Sequence, residues 1–156
     1  MAIENLFTLG KIYNATGIKL SGRHHDWYGV YGSQGYPAQL DRGQKGWFIH
    51  LGSVPVAGPP ARSSGAIVYR GHINDELEFD WIVAWDNQIN SPNKVYTSVR
   101  APVLKPVDWN EIQQELINSK NESTSSDGGL LAHVSIGDGN FPVLRAVLSP
   151  QAPSRN

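Results

Sequence analysis

The stretch LEFDWIVAW, residues 77–85, decides the fold class of this chain. Apolar side chains occupy alternate positions from Leu77 to Trp85, and the acidic Glu78 and Asp80 lie between them. Successive side chains of a strand point to opposite faces, so this period of two predicts a half-buried β-strand. Working outward, further strands are predicted over 46–51, 66–71, 94–100, 130–136 and 142–148, with two short strands in 8–20.

The composition favours strands and turns over helices. The 156 residues include 16 Gly and 10 Pro, and both residue types end helices readily. One helix is nevertheless predicted from Asp108, because Asp108 is a good N-cap, Glu111 follows three residues later, and Trp109, Ile112 and Leu116 share one stripe. Polar or Gly/Pro-rich loops are expected over 21–37 (with at most one strand), 52–65, 86–93 and 118–129.

These elements predict an all-β fold: a single-domain β-sandwich of eight or nine strands with one short helix in the C-terminal half. We expect the domain to span residues 1–150 and residues 151–156 to form a flexible tail. The edges of the sandwich cannot be located from the sequence, so no oligomeric state is predicted.

Several classes of protein are excluded or disfavoured. The chain has no Cys, which excludes disulfides and thiolate ligands, and it has no apolar run of about 18 residues. Its formal net charge of −1 disfavours a nucleic-acid partner, which would need an excess of Lys and Arg. The start MAIENLFTLGK lacks the features of a signal peptide, so we expect localisation in the cytoplasm or the nucleus.

No motif indicates catalysis, a metal or a cofactor. His24 and His25 are adjacent, and adjacent side chains of a strand point apart, so one ion would rarely take both. The acids Glu78, Asp80 and Asp86 share one strand face, where they could act as general acid and base but are more typical of a solvated face. The sequence contains neither a nucleophile elbow nor a phosphate-binding glycine loop. We therefore expect a protein that is not an enzyme.

The aromatic residues point to binding. Trp27, Tyr28, Tyr31 and Tyr36 crowd a Gly-rich segment, and Trp85 precedes the polar Asp86-Asn87-Gln88. Loop Trp and Tyr side chains can stack on sugars, lie at a membrane surface or surround a choline ammonium group. By contrast, the apolar stripes that contain them predict core positions for Trp47, Trp81 and Trp109.

Six segments resemble the plant jasmonate-induced protein family. The segments are KIYNATGIKL (11–20), YP (36–37), GQKGWFIHL (43–51), SSGAIVYRG (63–71), DWIVAWDNQ (80–88) and NKVYTSVR (93–100). The likeness covers about residues 9–118, and Asp86-Asn87-Gln88 departs from the Ser-Asn-Pro usual in the family. This resemblance implies a role in stress or defence and does not define a biochemical activity.

The order of turns and strands is also similar to the actinoporin-like β-sandwich. Tyr36-Pro37, Gly43, the loop Gly58-Pro59-Pro60-Ala61 and the segment 65–69 occupy matching places. This fold is shared by pore-forming cytolysins, fungal fruit-body lectins and nakanori-type sphingolipid-binding proteins. Actinoporins insert a long amphipathic segment that precedes the first strand, whereas only MAIENLFTLG precedes it here, so pore formation is not expected. Gln113 and Gln114 stand where the resemblance implies choline-binding tyrosines.

The resulting hypothesis is a non-enzymatic protein that binds a membrane lipid headgroup or a glycan, with peripheral membrane contact as one mode of action. Its candidate ligand-binding residues are His25, Asp26, Trp27, Tyr28, Tyr31, Trp85, Asp86, Asn87 and Trp109. Two alternatives stay open. One is a stress-induced protein-interaction module without a small ligand, and the other is a hydrolase that uses Asp80 or Asp86 with His25.

Overall fold

The chain folds into two facing β-sheets, seen in a computed structural model that describes residues 6–53 and 61–152. The strands are β1 (Phe7–Asn14), β2 (Leu20–Tyr28), β3 (Val30–Tyr31), β4 (Gln39–Leu40), β5 (Lys45–Leu51), β6 (Arg62–Asn74), β7 (Leu77–Gln88), β8 (Lys94–Arg100), β9 (Glu122–Asp127), β10 (Leu130–Ile136) and β11 (Val143–Pro150). Helix α1 (Trp109–Ile117) lies between β8 and β9. The six-stranded sheet has the order β3-β5-β1-β11-β10-β9, and the five-stranded sheet has the order β4-β2-β6-β7-β8. The predicted all-β sandwich with one short helix is confirmed.

All four predicted loops are wrong in part. The segment predicted as the loop 118–129 contains β9, whose alternating Ser and Thr residues carry no apolar pattern. β2 continues to Tyr28, and β7 continues to Gln88, so the first residues of the predicted loop 86–93 belong to a strand. Of the predicted loop 52–65, residues 62–65 begin β6, and residues 54–60, with most of the Gly58–Ala61 loop, lie outside the described residues.

The main core lies between the two sheets. It contains the inward side chains of β6 and β7, including Tyr69, Trp81 and Trp85, packed against β1, β5, β10 and β11. Trp81 is buried as predicted, and its Nε1–H donates to Thr97 Oγ1 at 3.0 Å.

Helix α1 covers the outer face of the five-stranded sheet. Ile112 and Leu116 of the helix pack on Ala66, Ile82 and Ala84, which face away from the main core. Asp108 Oδ1 accepts hydrogen bonds from the backbone N–H groups of Asn110 and Glu111, as its predicted N-cap role requires. Both faces of β7 are therefore buried, whereas its alternation predicted one solvated face.

The outer face of the six-stranded sheet is the opposite case. Trp47 of β5 was predicted to lie in the core, but it is 51% exposed, so that prediction is wrong. Phe48 and His50, on the other face of β5, are buried in its place. Sequence analysis assigned the wrong face of β5 to the core, because the set Trp47, Ile49 and Leu51 is more apolar than the set Phe48 and His50.

The segment YNATG links the two sheets through hydrogen bonds of the Asn14 side chain. Asn14 Nδ2–H donates to the carbonyl oxygens of Ile18 (2.7 Å) and Asp41 (3.0 Å), and Asn14 Oδ1 accepts from Thr16 Oγ1–H (2.6 Å). Because Asn14 is buried, its amide satisfies backbone groups that would otherwise be unpaired. The motif thus fixes how the chain leaves β1 and enters β2, which carries most of the candidate site.

Candidate functional site

Strand β2 divides the candidate residues between two faces. In the register with β6, His25 lies opposite Ala66 on the outer face, and Asp26 lies opposite Gly65 on the inner face. The register shifts between Asp26 and Tyr28, so Trp27 is the extra residue of a β-bulge. As a result, His25, Trp27 and Tyr28 contact the side that carries helix α1, while Asp26 contacts the sandwich interior.

The outward group forms an aromatic surface at the start of helix α1. The His25 ring stacks on the Trp109 ring with centroids 5.2 Å apart and planes at 17°, and the Trp27 ring meets His25 edge-on at 5.6 Å. A shallow groove of about 620 Å³ runs beside this stack, lined by His25 and the segment 105–110. Sequence analysis named all three residues as candidates but also assigned Trp109 to the core. The structure brings the three rings together, and Trp109 is only partly buried.

Tyr28 extends this surface through an ion pair. The guanidinium of Arg62 lies over the Tyr28 ring at 4.5 Å, and it binds the Asp86 carboxylate through two hydrogen bonds of 2.7 and 2.9 Å. The hydrogen bond from Arg62 to Asp86 raises the pKa of Arg62. Asp86 is thus committed to Arg62 instead of pointing from a loop into solvent, and its predicted place in a polar loop is wrong.

We name as the aromatic surface the side chains of His25, Trp27, Tyr28 and Trp109, with Arg62 at its border. The indole N–H of Trp27 is buried and has no hydrogen-bond partner within the described part of the chain. An unpaired buried donor costs about 1–3 kcal/mol of folding free energy.

The inward candidates are part of the core. Trp85, predicted as an exposed loop aromatic, is 0% exposed and packs against Phe48 at 4.9 Å. Tyr31 contacts the same cluster, with its ring 6.3 Å from Trp85 and 4.9 Å from His50. Burial, together with the charge of Asp26, raises the pKa of the Tyr31 hydroxyl. Trp85 therefore cannot touch a ligand in solution, and the expectation that it does is wrong.

Asn87, another candidate, is also structural. Its side chain is fully buried, and Asn87 Nδ2–H donates to Thr8 Oγ1 and to the Phe7 carbonyl oxygen, each at 3.3 Å. These bonds join β7 to β1 across the sandwich. The expected exposure of Asn87 in a polar loop was wrong because β7 is three residues longer than its apolar alternation indicates.

A chain of buried hydrogen bonds that sequence analysis missed runs through the same end of the core. His50 Nδ1 lies 2.7 Å from Ser63 Oγ, and His50 Nε2 lies 3.0 Å from Asp26 Oδ1. Burial lowers the pKa of His50, although its hydrogen bond to Asp26 opposes that effect. Ser63 and His50 are both 0% exposed, so the serine and the histidine are closed to solvent, whereas the Asp26 side chain is 24% exposed.

The hydrolase hypothesis required a carboxylate within hydrogen-bond reach of His25. Asp80 instead binds Arg70 at 2.9 and 3.1 Å, and Asp86 binds Arg62. His25 contacts aromatic rings. Within residues 6–53 and 61–152, no group of three or more His, Asp or Glu side chains is arranged to hold a metal ion. In the same ranges, no helix has the length and apolarity needed to cross a bilayer.

Sequence reasoning missed Arg62 because its partner stands 24 positions away. The register of β6 and β7 places Arg62 beside Gln88 and Ser64 opposite Asp86, which brings the ion pair together only after the hairpin forms. The predicted strand began at Ala66, whereas β6 begins at Arg62. With the correct start, the alternation of β6 would have placed Arg62 on the outer face.

Comparisons with known proteins agree with this architecture. Residues 4–151 match the model of the Nakanori-like protein family. The chain is 34% identical to the 23 kDa jasmonate-induced protein of Hordeum vulgare over 87% of its own length and 66% of that protein's. It is 28% identical to the jasmonate-induced protein homolog of Atriplex canescens over 66% of its own length and 56% of that protein's. The chain thus spans less than two thirds of the length of these curated relatives.

A solved structure shows the same fold. The crystal structure of the lipid binding protein Nakanori superposes with a TM-score of 0.72 and covers 94% of this chain and 72% of that one, at 24% sequence identity. Because the family match extends over nearly the whole chain, it is decisive for the family. By its sequence and its fold, this chain is a member of the Nakanori-like protein family.

Proposed function

We propose that this protein binds a membrane lipid headgroup of the choline-bearing, sphingolipid type at the aromatic surface, without catalysing a reaction. The observation that carries the proposal is the stack of His25 on Trp109 beside an open groove, at the point where helix α1 meets β2. Aromatic faces attract a quaternary ammonium group by cation–π interaction, and they do so without a covalent step.

The charges around the groove fit a zwitterionic ligand. Arg62 is neutralised by Asp86, and Lys105 Nζ donates to Glu111 Oε2 at 2.6 Å, so neither cation is free to select an anion. What remains open to a ligand is ring surface and the polar edge of the helix start. This combination supports a headgroup that carries an ammonium group and a small number of hydrogen-bonding atoms.

The family context supports the same choice of ligand. The structural relative is described as a lipid binding protein, and the two plant relatives are named as jasmonate-induced. We extend lipid binding to this chain as part of the proposal, together with a role in stress responses.

The test is flotation of the protein with vesicles that contain sphingomyelin, compared with vesicles of phosphatidylethanolamine. We expect binding to the first only, and Trp109→Ala to weaken it at least about fivefold, since one cation–π contact contributes about 1 kcal/mol or more. Ile117→Ala is the matched control, because Ile117 is exposed at the other end of the same helix. Equal binding by Trp109→Ala and the wild type, with both folded, would refute the site.

A glycan is the second candidate, favoured by the polar side chain of Asn110 beside the Trp109 ring in the same groove. Sugars need ring stacking and hydrogen-bond partners together. A glycan array distinguishes the two ligands: retention there, with none on sphingomyelin vesicles, assigns the surface to a sugar. A folded protein retained on neither supports the protein-interaction module instead.

A further inference from the structure

The outer face of the six-stranded sheet is open to solvent. Helix α1 packs on the other sheet, and within the described ranges no element covers β1, β5 and β11 from outside. Val30, Leu51 and Trp47 are consequently 61%, 44% and 51% exposed. A sheet face with this much exposed apolar surface is unusual for a protein that contacts only water.

The strand register orders this face into four rows across β3, β5, β1 and β11. Starting from the end at which β5 finishes, the rows are Val30–Leu51–Phe7, Ile49–Leu9–Val143, Trp47–Lys11–Arg145 and Lys45–Tyr13–Val147. We call these twelve side chains the uncovered face. Neighbouring rows are two residues apart along a strand, which is about 7 Å.

The first two rows are entirely apolar. Phe141, which is 54% exposed, adds to them because its ring packs on Phe7 with centroids 4.7 Å apart. No charged side chain belongs to either row. Within the described residues, the side chains of these two rows are therefore all hydrocarbon or aromatic, and Ser33 and Gln34 of the neighbouring loop border them.

The next two rows combine aromatic rings with three cations. Lys45 Nζ lies 5.1 Å from the centre of the Tyr13 ring, and Lys11 and Arg145 are neighbours of Trp47 in its row. Among the ion pairs between described residues, none involves Lys11, Lys45 or Arg145. A groove of about 660 Å³ lies between these side chains. The cations are thus available to an anionic partner.

We propose that the uncovered face docks on an anionic lipid membrane, with the two apolar rows at the acyl boundary and the Trp47 and Tyr13 rows among the headgroups. Side chains distribute across a membrane interface in a fixed order: apolar residues lie deepest, followed by Trp and Tyr, and then by Lys and Arg. The depth of the first two rows, about 7 Å, matches the burial of roughly 5–10 Å found for interfacial elements.

The position of the face relative to the aromatic surface supports this choice of partner. Tyr28 of the aromatic surface and Val30 of the uncovered face flank Gly29, where the chain passes from one sheet to the other. Gly29 has φ +93°, and a Cβ there would lie 2.2 Å from the Leu51 carbonyl oxygen, so only glycine fits this crossing. Both surfaces therefore border one end of the sandwich and can meet the same bilayer. The choice of a lipid partner rests on the proposed function.

Two other occupants fit less well. A two-fold contact between copies of this chain would bring the same three cations of each copy into one interface, where like charges repel. An acidic protein would complement the cations, but it would not require two apolar rows beside the two rows that combine rings with cations.

The test compares vesicles of phosphatidylcholine with vesicles that also contain about one fifth phosphatidylserine. We expect the wild type to bind the second more tightly and to lose that increment as the salt concentration rises. Lys11→Gln with Arg145→Gln should reduce the increment about fivefold for each cation removed. Lys120→Gln, which removes an exposed cation elsewhere, is the control and should bind as the wild type does.

The apolar rows are tested separately. Val30→Ser with Phe141→Ser, both at exposed positions, should weaken binding to both kinds of vesicle at least tenfold, whereas Leu104→Ser should not, although Leu104 is 87% exposed. Lipids with brominated acyl chains should quench the tryptophan fluorescence of the wild type more than that of Trp47→Phe. Melting curves confirm that each variant is folded.

The outcomes separate this inference from the proposed function. Trp109→Ala should lower binding to both kinds of vesicle and preserve the phosphatidylserine increment, whereas the cation variant should lose only the increment. The inference is overturned if the increment is absent from the wild type or survives in the cation variant, whatever Trp109→Ala does. Absence of vesicle binding by the folded wild type overturns both and leaves an acidic protein as the partner of this face.

Discussion

The outer faces of the two sheets differ in burial: helix α1 covers one, and the other is exposed to solvent. On the five-stranded sheet, Asp80 and Asp86 of β7 are buried on the face that carries helix α1, and each binds an arginine. On the six-stranded sheet, Trp47 and Leu51 stand in solvent. The difference shows that the polarity of a strand face does not determine its burial. The burial of a face is determined by the element that packs on it, and that element is far away in the sequence.

The largest expected effect separates two tryptophans. Trp85→Ala should lower the free energy of unfolding by about 3–5 kcal/mol, because a fully buried ring leaves a cavity. Trp47→Ala should change it by no more than about 0.5 kcal/mol, since Trp47 is half exposed. Urea denaturation measures both values. Comparable losses for the two variants would show that the uncovered face is packed against something.

A second prediction contrasts two histidines of the six-stranded sheet. Burial lowers the pKa of His50, so between the unfolded value of about 6.5 and the lower folded value the unfolded chain binds more protons. Stability should therefore fall as the pH decreases from about 7.5 to 5.5, by up to about 1.4 kcal/mol per pH unit.

Urea midpoints at a series of pH values measure this dependence. His50→Gln should be less stable at pH 7.5 and show a flatter pH dependence. His133→Gln, at an exposed position on the outer face of the same sheet, should keep the wild-type slope. An unchanged slope in His50→Gln would contradict the assignment.

A smaller effect concerns the helix that covers the five-stranded sheet. Asp108→Ala should cost about 1 kcal/mol, because the side chain accepts two backbone N–H groups at the helix start. Asp108→Asn, which keeps an acceptor, should cost less. Thermal unfolding gives the ranking, and equal losses would mean that the charge of Asp108 matters more than the cap.

The smallest effect tests the unpaired indole of the aromatic surface. Trp27→Phe removes the buried N–H and keeps an aromatic ring, so we expect stability to be equal or higher by up to about 1 kcal/mol and vesicle binding to stay within about threefold of the wild type. Isothermal titration with sphingomyelin vesicles, beside thermal unfolding, measures both. A loss of stability would show that the packing lost with the larger indole ring outweighs the cost of its unpaired N–H.

The sequence was sufficient for the fold class, the single helix and most strands, because alternation in segments such as 77–85 and 130–136 is local. It was also sufficient to select His25, Trp27 and Trp109, although the stack of His25 on Trp109 depends on a contact across 84 positions. It could not show that β2 turns Asp26 inward, since that follows from the register with β6. Trp85 and Trp47 were placed wrongly for the same reason: each was judged from its neighbours in the chain, and neither from what packs on its sheet.

The first and last strands of the sandwich, β1 and β11, are paired in parallel, and Leu9 lies beside Val143, 134 positions later. The middle of the six-stranded sheet therefore cannot close until nearly the whole chain has been synthesised. At about 5–20 residues per second, β1 waits roughly 7–27 s on the ribosome for its partner. During that interval one edge of β1 lacks its native neighbour, and a chaperone that shields it would raise the yield of folded protein.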